Sequence, residues 1–149
     1  MEISRYVLLV MNIEHTSLLQ FTIERLFSQS YSLWRIVLLY NKDLDIENIK
    51  TKYKNNKNII WKKNNDHHIA NVFNETLKYF LENDDYSHLC FINDHDKYYP
   101  NFIKFLLDGK RDFVYGNYHK RKDYIIEARE YKDKEDLIQN YQGLCNTMW

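Results

Sequence analysis

The stretch His88-Leu-Cys-Phe-Ile92-Asn93-Asp94-His95-Asp96-Lys-Tyr-Tyr-Pro100 decides how the rest of the chain is read. A short apolar run stops abruptly at a group of amide, carboxylate and imidazole side chains, and the only proline in the protein closes it. The run is too short for a helix and lacks helical spacing, which suits a strand covered on both faces. Such strands bind ligands in the crevice beyond their carboxyl ends. Asp94 and Asp96 would offer hard oxygen ligands for Mg²⁺ or Mn²⁺, and His95 a nitrogen better suited to Mn²⁺. The competing reading is an ordinary polar turn, since Asn, Asp and Pro are also turn residues.

Segments to either side repeat the same grammar. Tyr6 to Met11 is a continuous apolar run, and the polar stretch Asn12 to Ser17 follows it, with Thr16 or Ser17 able to cap a helix. Leu18, Leu19, Ile23, Leu26 and Phe27 then recur at helical spacing. Trp34 to Tyr40 reads as a second strand, Ile46 to Tyr53 as a weaker polar helix, and Ile59 to Trp61 as a short third strand. From about His68 to Glu82, residues Ile69, Val72, Phe73, Leu77, Phe80 and Leu81 mark one face of a helix. His88 to Ile92 is the fourth strand. Pro100 is expected to open a helix whose Phe102, Ile103, Leu106 and Leu107 face inward, because proline's missing N–H costs nothing in a first turn. Phe113 to Tyr115 begins a fifth strand. Alternation of this kind predicts an α/β fold with a mostly parallel sheet flanked by helices. After Gly116 the pattern becomes mixed: a hairpin over Tyr118 to Glu127, a helix over Asp133 to Tyr141 and a last strand over Leu144 to Trp149.

The chain has 149 residues, enough for one domain with a real core. Its 16% aromatic content argues for an ordered globular protein. With 21 basic and 21 acidic residues, the formal charge is zero and no overall field draws it to nucleic acid or an anionic membrane. The lysine- and asparagine-rich run Lys50 to Lys63 has no arginine and reads as a solvated helix end and loop. Cys90 and Cys145 lie far apart, so a reducing, cytoplasmic location is expected. The Val7 to Met11 run is too short to span a bilayer, so no integral membrane segment is expected.

In a parallel sheet the strand ends share one edge. Asn12 and Glu14, Asn41 and Asp43, Asn65 to His68, and Asn93 to Asp96 should converge there. A divalent cation held by one or two carboxylates would neutralise phosphate oxygens, making a nucleotide or diphosphate the natural guest. No P-loop or Gly-x-Gly-x-x-Gly run is present, so neither a P-loop NTPase nor a dinucleotide fold is favoured.

This order of segments resembles the family-two glycosyltransferases of the GT-A fold, which transfer sugars from nucleotide diphosphate donors. Five pieces carry the resemblance, from about residue 5 to about residue 120. Ile23-Glu-Arg-Leu-Phe-Ser-Gln29-Ser-Tyr31 looks like the family's Ile-x-Ser-x-x-x-Gln-Thr-Tyr, and the strand Trp34-Arg-Ile-Val-Leu-Leu follows with its polar end. The helix with Ala70 and Asn74 is similar to the Ala-Arg-Asn segment. Phe91-Ile92-Asn93-Asp94-His95-Asp96 with Pro100 looks like Phe-Leu-Asp-x-Asp-Asp followed by Pro, and Asp112-Phe-Val-Tyr-Gly116 looks like Asp-Val-Val-Tyr-Gly.

The resemblance implies a single GT-A-like, Rossmann-like domain over 1–149, with 1–116 the donor-binding α/β core and 117–149 a reduced acceptor-side segment. It implies that the base and ribose lie against the main chain of Met11, Asn12 and Ile13, beside Glu14, and against Tyr40 or Asn41. His68 falls near a phosphate-side position, and Asn74, Asn93 and Asp94 belong to the donor site. Two metal registers stay open: counting back from Pro100 puts His95 at the family's metal carboxylate and Asn93 at its first Asp, whereas a strict Asp-x-Asp reading assigns Asp94 and Asp96. The expected cofactor is Mn²⁺ or Mg²⁺. The expected activity is sugar transfer from a UDP-sugar, UDP-glucose being one candidate, to a glycan, lipid or protein acceptor.

The family usually places its general base beyond the Val-Tyr-Gly strand, and no residue is assigned that role; Glu127, Glu130, Asp133, Glu135 and Asp136 read as a solvated surface. Two alternatives stand beside the transferase. One is a nucleotide-sugar-binding remnant or partial subunit, completed by an oligomer or partner chain. The other is a sugar-phosphate nucleotidyltransferase.

Overall fold

Burial on both faces explains why the first strand is apolar throughout. In the computed structural model, which describes residues 5–65 and 68–109 and four short strands further along, β1 (Tyr6–Asn12) lies between β2 (Trp34–Tyr40) and β4 (Tyr86–Asn93), parallel to both. From Val7 to Met11 every side chain of β1 is at most 1% exposed. The third strand, β3 (Ile59–Lys63), pairs with β2, also in parallel. The helices between them are α1 (Leu19–Phe27), α2 (Glu47–Tyr53), α3 (Ile69–Leu81) and α4 (Phe102–Asp108). The expected α/β architecture is therefore present.

Alternation along the strands divides the core in two. Val7, Leu9, Met11, Trp34, Ile36, Leu38, Cys90 and Ile92 face Leu19, Ile23 and Leu26 of α1 and Ile103 and Leu106 of α4. Leu8, Val10, Val37, Leu39 and Leu89 form a smaller cluster with Val72 of α3. Each fully buried leucine or isoleucine contributes about 2 kcal/mol from area removed from water, so the larger cluster is the principal source of stability.

Beyond α4, β5 (Val114–Tyr115) joins the same sheet without pairing directly with β4. The last strand, β8 (Thr147–Met148), runs antiparallel between them, pairing Cys90 with Met148 and Tyr115 with Thr147. The sheet order is β3-β2-β1-β4-β8-β5. The hairpin expected after Gly116 is formed by β6 (Tyr118–Lys120) and β7 (Tyr124–Ile126). The helix expected over Asp133 to Tyr141, the carboxylates from Glu127 to Asp136, Asp112 and Gly116, and Cys145 lie outside the described residues.

Four local expectations are corrected. Neither Thr16 nor Ser17 caps α1: its first flanking residue is Leu18, and Thr16 contributes only its carbonyl, to the Leu19 N–H. The buried stripe of α1 is Leu19, Thr22, Ile23 and Leu26, leaving Leu18 and Phe27 exposed. On α3 the inward face is narrower than the apolar pattern suggested. Val72 and Thr76 are buried while Leu77 and Leu81 are exposed, because at 100° per residue Leu81 lies opposite Val72. Finally, Pro100 precedes α4 instead of opening it; its carbonyl accepts the Ser30 N–H at 2.6 Å. Gln29 organises that turn. Its Nε2 donates to the Tyr99 carbonyl at 2.6 Å and its Oε1 accepts the Ile103 N–H at 3.1 Å, satisfying a first-turn amide that no capping side chain of α4 itself reaches.

Candidate functional site

From β1 the chain moves to β2 on one side, and from β4 it moves toward β5 on the other, so the crevice between the ends of β1 and β4 is a topological switch point. A hollow of ≈ 60 Å³ opens there, lined by Asn12, Glu14, Phe73, Phe91, Ile92, Asn93, Asp94 and His95. Its floor is aromatic, with the Phe73 and Phe91 rings 4.6 Å apart, and its rim is polar.

Asp94 holds the rim together. It is 1% exposed, and its Oδ2 accepts the backbone N–H groups of Glu14 at 2.7 Å and His15 at 2.6 Å. Its Oδ1 accepts the Nδ1–H of His95 at 2.9 Å, and its carbonyl accepts the Thr22 hydroxyl at 2.9 Å. One residue thus ties the β1–α1 loop, α1 and the tip of β4 together. Burial pushes the Asp94 carboxyl up, but the two backbone N–H groups and the His95 ring outweigh it and leave the group below its ordinary value. Bonding to Asp94 raises the His95 imidazole, with Asp96 and Glu14 adding to the attraction and partial burial opposing it.

The neighbouring residues are fixed in turn. The Tyr98 hydroxyl accepts the Asn93 N–H at 2.8 Å and donates to the Asn93 carbonyl at 3.2 Å, while Asn93 Nδ2 donates to Asp96 Oδ2 at 2.9 Å. His95 is half exposed, and its ring centroid lies 6.1 Å from that of His15.

Of the residues expected at the donor site, the hollow brings together Asn12, Glu14, Asn93 and Asp94, with His95 from the expected metal set. Met11 and Ile13 are core residues, and the Ile13 N–H is spent on the Leu39 carbonyl at 2.8 Å. Tyr40 packs over α2, its hydroxyl accepting from Lys50 Nζ at 3.1 Å. Asn41 folds back on its own turn, its Oδ1 accepting the Asp43 N–H at 2.9 Å. His68, at the start of α3, and Asn74, on its surface, are exposed and do not line the hollow. Sequence reasoning missed His15, Phe73, Phe91 and Tyr98 as parts of the site. For His15 the signal was there, since it lies in the polar stretch directly after β1.

The metal expectation meets a chemical difficulty. Among the described residues, no group of three or more His, Cys, Asp or Glu side chains is placed to hold one ion. Both oxygens of Asp94 already accept strong hydrogen bonds inside the protein, and one oxygen of Asp96 is engaged by Asn93. Coordination through Asp94 Oδ2 would strand two loop N–H groups, and coordination through Oδ1 would compete with the His95 ring. In this arrangement both oxygens of Asp94 already serve bonds within the protein, which leaves fewer open ligand positions for Mg²⁺ or Mn²⁺ than a pair of free carboxylates would.

No protein-family model matches the chain, and no curated protein matches it by sequence. Solved structures do resemble it. Residues 1–349 of TarS from S. aureus, in complex with UDP, align with a TM-score of 0.66 at 14% identity, covering 87% of this chain and 40% of that one. The same protein with UDP-GlcNAc gives 0.63 at 14% identity, covering 87% and 39%. The mannosyltransferase PcManGT from Pyrobaculum calidifontis, in complex with GDP-Man and Mn²⁺, gives 0.59 at 11% identity, covering 78% and 36%. The chain spans about two-fifths of the length of these proteins. At such identities the shared property is the fold, an α/β sheet of the kind that carries nucleotide-sugar sites in these structures.

Proposed function

We propose that the chain is the donor-binding portion of a glycosyltransferase acting on a nucleotide diphosphate sugar, with a UDP-sugar as the preferred donor. The observation that carries the reading is the hollow at the β1/β4 switch point, in a fold whose neighbours are described in complex with UDP, UDP-GlcNAc and GDP-Man. Asn12, Glu14, Asn93 and His95 are assigned to the diphosphate and sugar side. Asn41, on the next strand end, is assigned to the base, where an amide both donates to and accepts from a uracil edge. His68 and Asn74 flank the donor on the α3 side. Asp94 is assigned a positioning role. Mn²⁺ in the mannosyltransferase supports divalent ions in this fold, but the occupied Asp94 oxygens speak against the same arrangement here.

Calorimetry with UDP tests the reading, and the expected result is saturable binding weakened by Asn93→Ala. Heats no greater than dilution, with UDP and with GDP, would end it. A second reading, donor binding without transfer by this chain alone, is favoured by its span of about two-fifths of the matched structures. Slow release of UDP from UDP-sugar supports the transferase, tight UDP binding with no turnover supports the second reading, and pyrophosphate release would mark a nucleotidyltransferase instead.

A further inference from the structure

We infer that Tyr98 is a positioning residue for the donor: from the opposite side of the sheet, its hydroxyl fixes the main chain of Asn93 and so tunes the grip of the hollow without lining it. The inference rests on the donor reading above and deepens it. Along β4, Phe91 and Asn93 share the α3 side, where Phe91 meets Phe73 and both Phe91 and Asn93 line the hollow. Tyr98 belongs to the other side. It is 4% exposed within the cluster formed with α1 and α4, its ring lies 4.8 Å from that of Phe102, and it is not among the residues lining the hollow.

What Tyr98 reaches is the last residue of β4. There one flank of the strand runs past its partner: β1 pairs with β4 as far as Asn93, but among the described residues β8 pairs with it no further along than Phe91. The Tyr98 hydroxyl stands in for a neighbouring strand, accepting the Asn93 N–H at 2.8 Å and donating to the Asn93 carbonyl at 3.2 Å. A hydroxyl suits this place because it is donor and acceptor at once, and a phenylalanine would offer neither. Tyr98 is itself set from outside. The turn after it is clamped to the end of α1, the Tyr99 carbonyl accepting Gln29 Nε2 at 2.6 Å and the Pro100 carbonyl accepting the Ser30 N–H at 2.6 Å. Held in this way, Asn93 directs Nδ2 to Asp96 and keeps Oδ1 out of that bond, as an acceptor on the rim for a hydroxyl of the nucleotide sugar. A binding group is only as exact as the groups that support it, so loss of the Tyr98 hydroxyl is felt at the hollow through Asn93.

The test is a double-mutant cycle on the intact chain, read by calorimetry with UDP, Mn²⁺ being present in every sample. Tyr98→Phe should weaken UDP by about fivefold in the wild-type background, the equivalent of one hydrogen bond, and by less than about twofold in the Asn93→Ala background. Circular dichroism establishes that Tyr98→Phe is folded. Where it is not, Gln29→Glu takes its place, since it removes the donor to the Tyr99 carbonyl and keeps an acceptor for the Ile103 N–H, and the same lack of additivity with Asn93→Ala is expected. Equal weakening in the two backgrounds would show that the hydroxyl merely supports the fold and would overturn the inference, as would wild-type UDP affinity in the folded variant. Either result leaves the donor reading intact. No UDP binding by the wild-type chain overturns both.

Discussion

The ends of β2 and β4 lie along the same edge of one sheet, and their polar residues are anchored in opposite ways. After β2, Asn41 bonds an amide two residues away in an exposed Asx turn. After β4, Asp94 bonds amides 79 and 80 positions away in sequence and is almost wholly buried. The first arrangement can be altered without disturbing any other element. The second couples two loops and a helix, so a change there reaches everything around the crevice. Similar residue types at similar strand ends therefore differ by whether the neighbouring strand's loop comes close enough to be held, and at the switch point it does.

Replacing Asp94 tests that contrast most severely. Asp94→Ala leaves two loop N–H groups and the His95 ring without their acceptor, and should lower the unfolding free energy by about 3 kcal/mol in urea denaturation. A cost no larger than that of Asn41→Ala would break the comparison. Acid titration sharpens it. Because the folded Asp94 carboxyl sits below its ordinary value of 3.8, the unfolded chain binds more protons as the solution is acidified, and this contribution is lost as pH falls through the folded value. His95, raised above 6.5, has the opposite sign: its contribution is present at lower pH and is lost as pH rises through the folded value. The pair is therefore most stabilising between the two values, and Asp94→Asn should flatten both slopes in unfolding curves measured from acid to mildly alkaline solution.

Thr22→Val removes the hydroxyl that ties α1 to the Asp94 carbonyl and should cost about 1 kcal/mol by thermal or urea melts. A value near that of Asp94→Ala would mean the helix, not the loop, carries the coupling. Asn41→Ala should change stability by less than about 0.5 kcal/mol, since its turn is exposed and local.

Strands were the most legible part of the sequence. Trp34 to Tyr40 is observed with the expected bounds, β1 extends its expected run by one residue and β4 by three, because a strand buried on both faces leaves an uninterrupted apolar signature. Helix faces were read less well. Leu77 and Leu81 fit an apolar spacing but fall outside the arc that α3 turns toward the sheet, whereas Thr76 is inside, its hydroxyl satisfied by the Val72 carbonyl at 2.9 Å. At the candidate site, the sequence displayed the polar strand ends but not their partners. Nothing near Asp94 announces that its carboxylate faces Glu14 and His15, and nothing near Gln29 announces that it completes the first turn of α4. Hydrogen bonds spanning seventy or more positions are properties of the assembled sheet, and composition at either end is silent about them.

The position of β8 has a consequence for synthesis on the ribosome. Because Thr147 and Met148 run between β4 and β5, a nascent chain that has already emerged through Tyr115 still exposes one side of β4 as unpaired amides and carbonyls. That open flank is a template for strand addition by other chains until residue 148 clears the exit tunnel. All four strands of the β3-β2-β1-β4 half are complete by Asn93, so that half is free to assemble before β8 is made, which makes closure of the sheet a late, vectorial event.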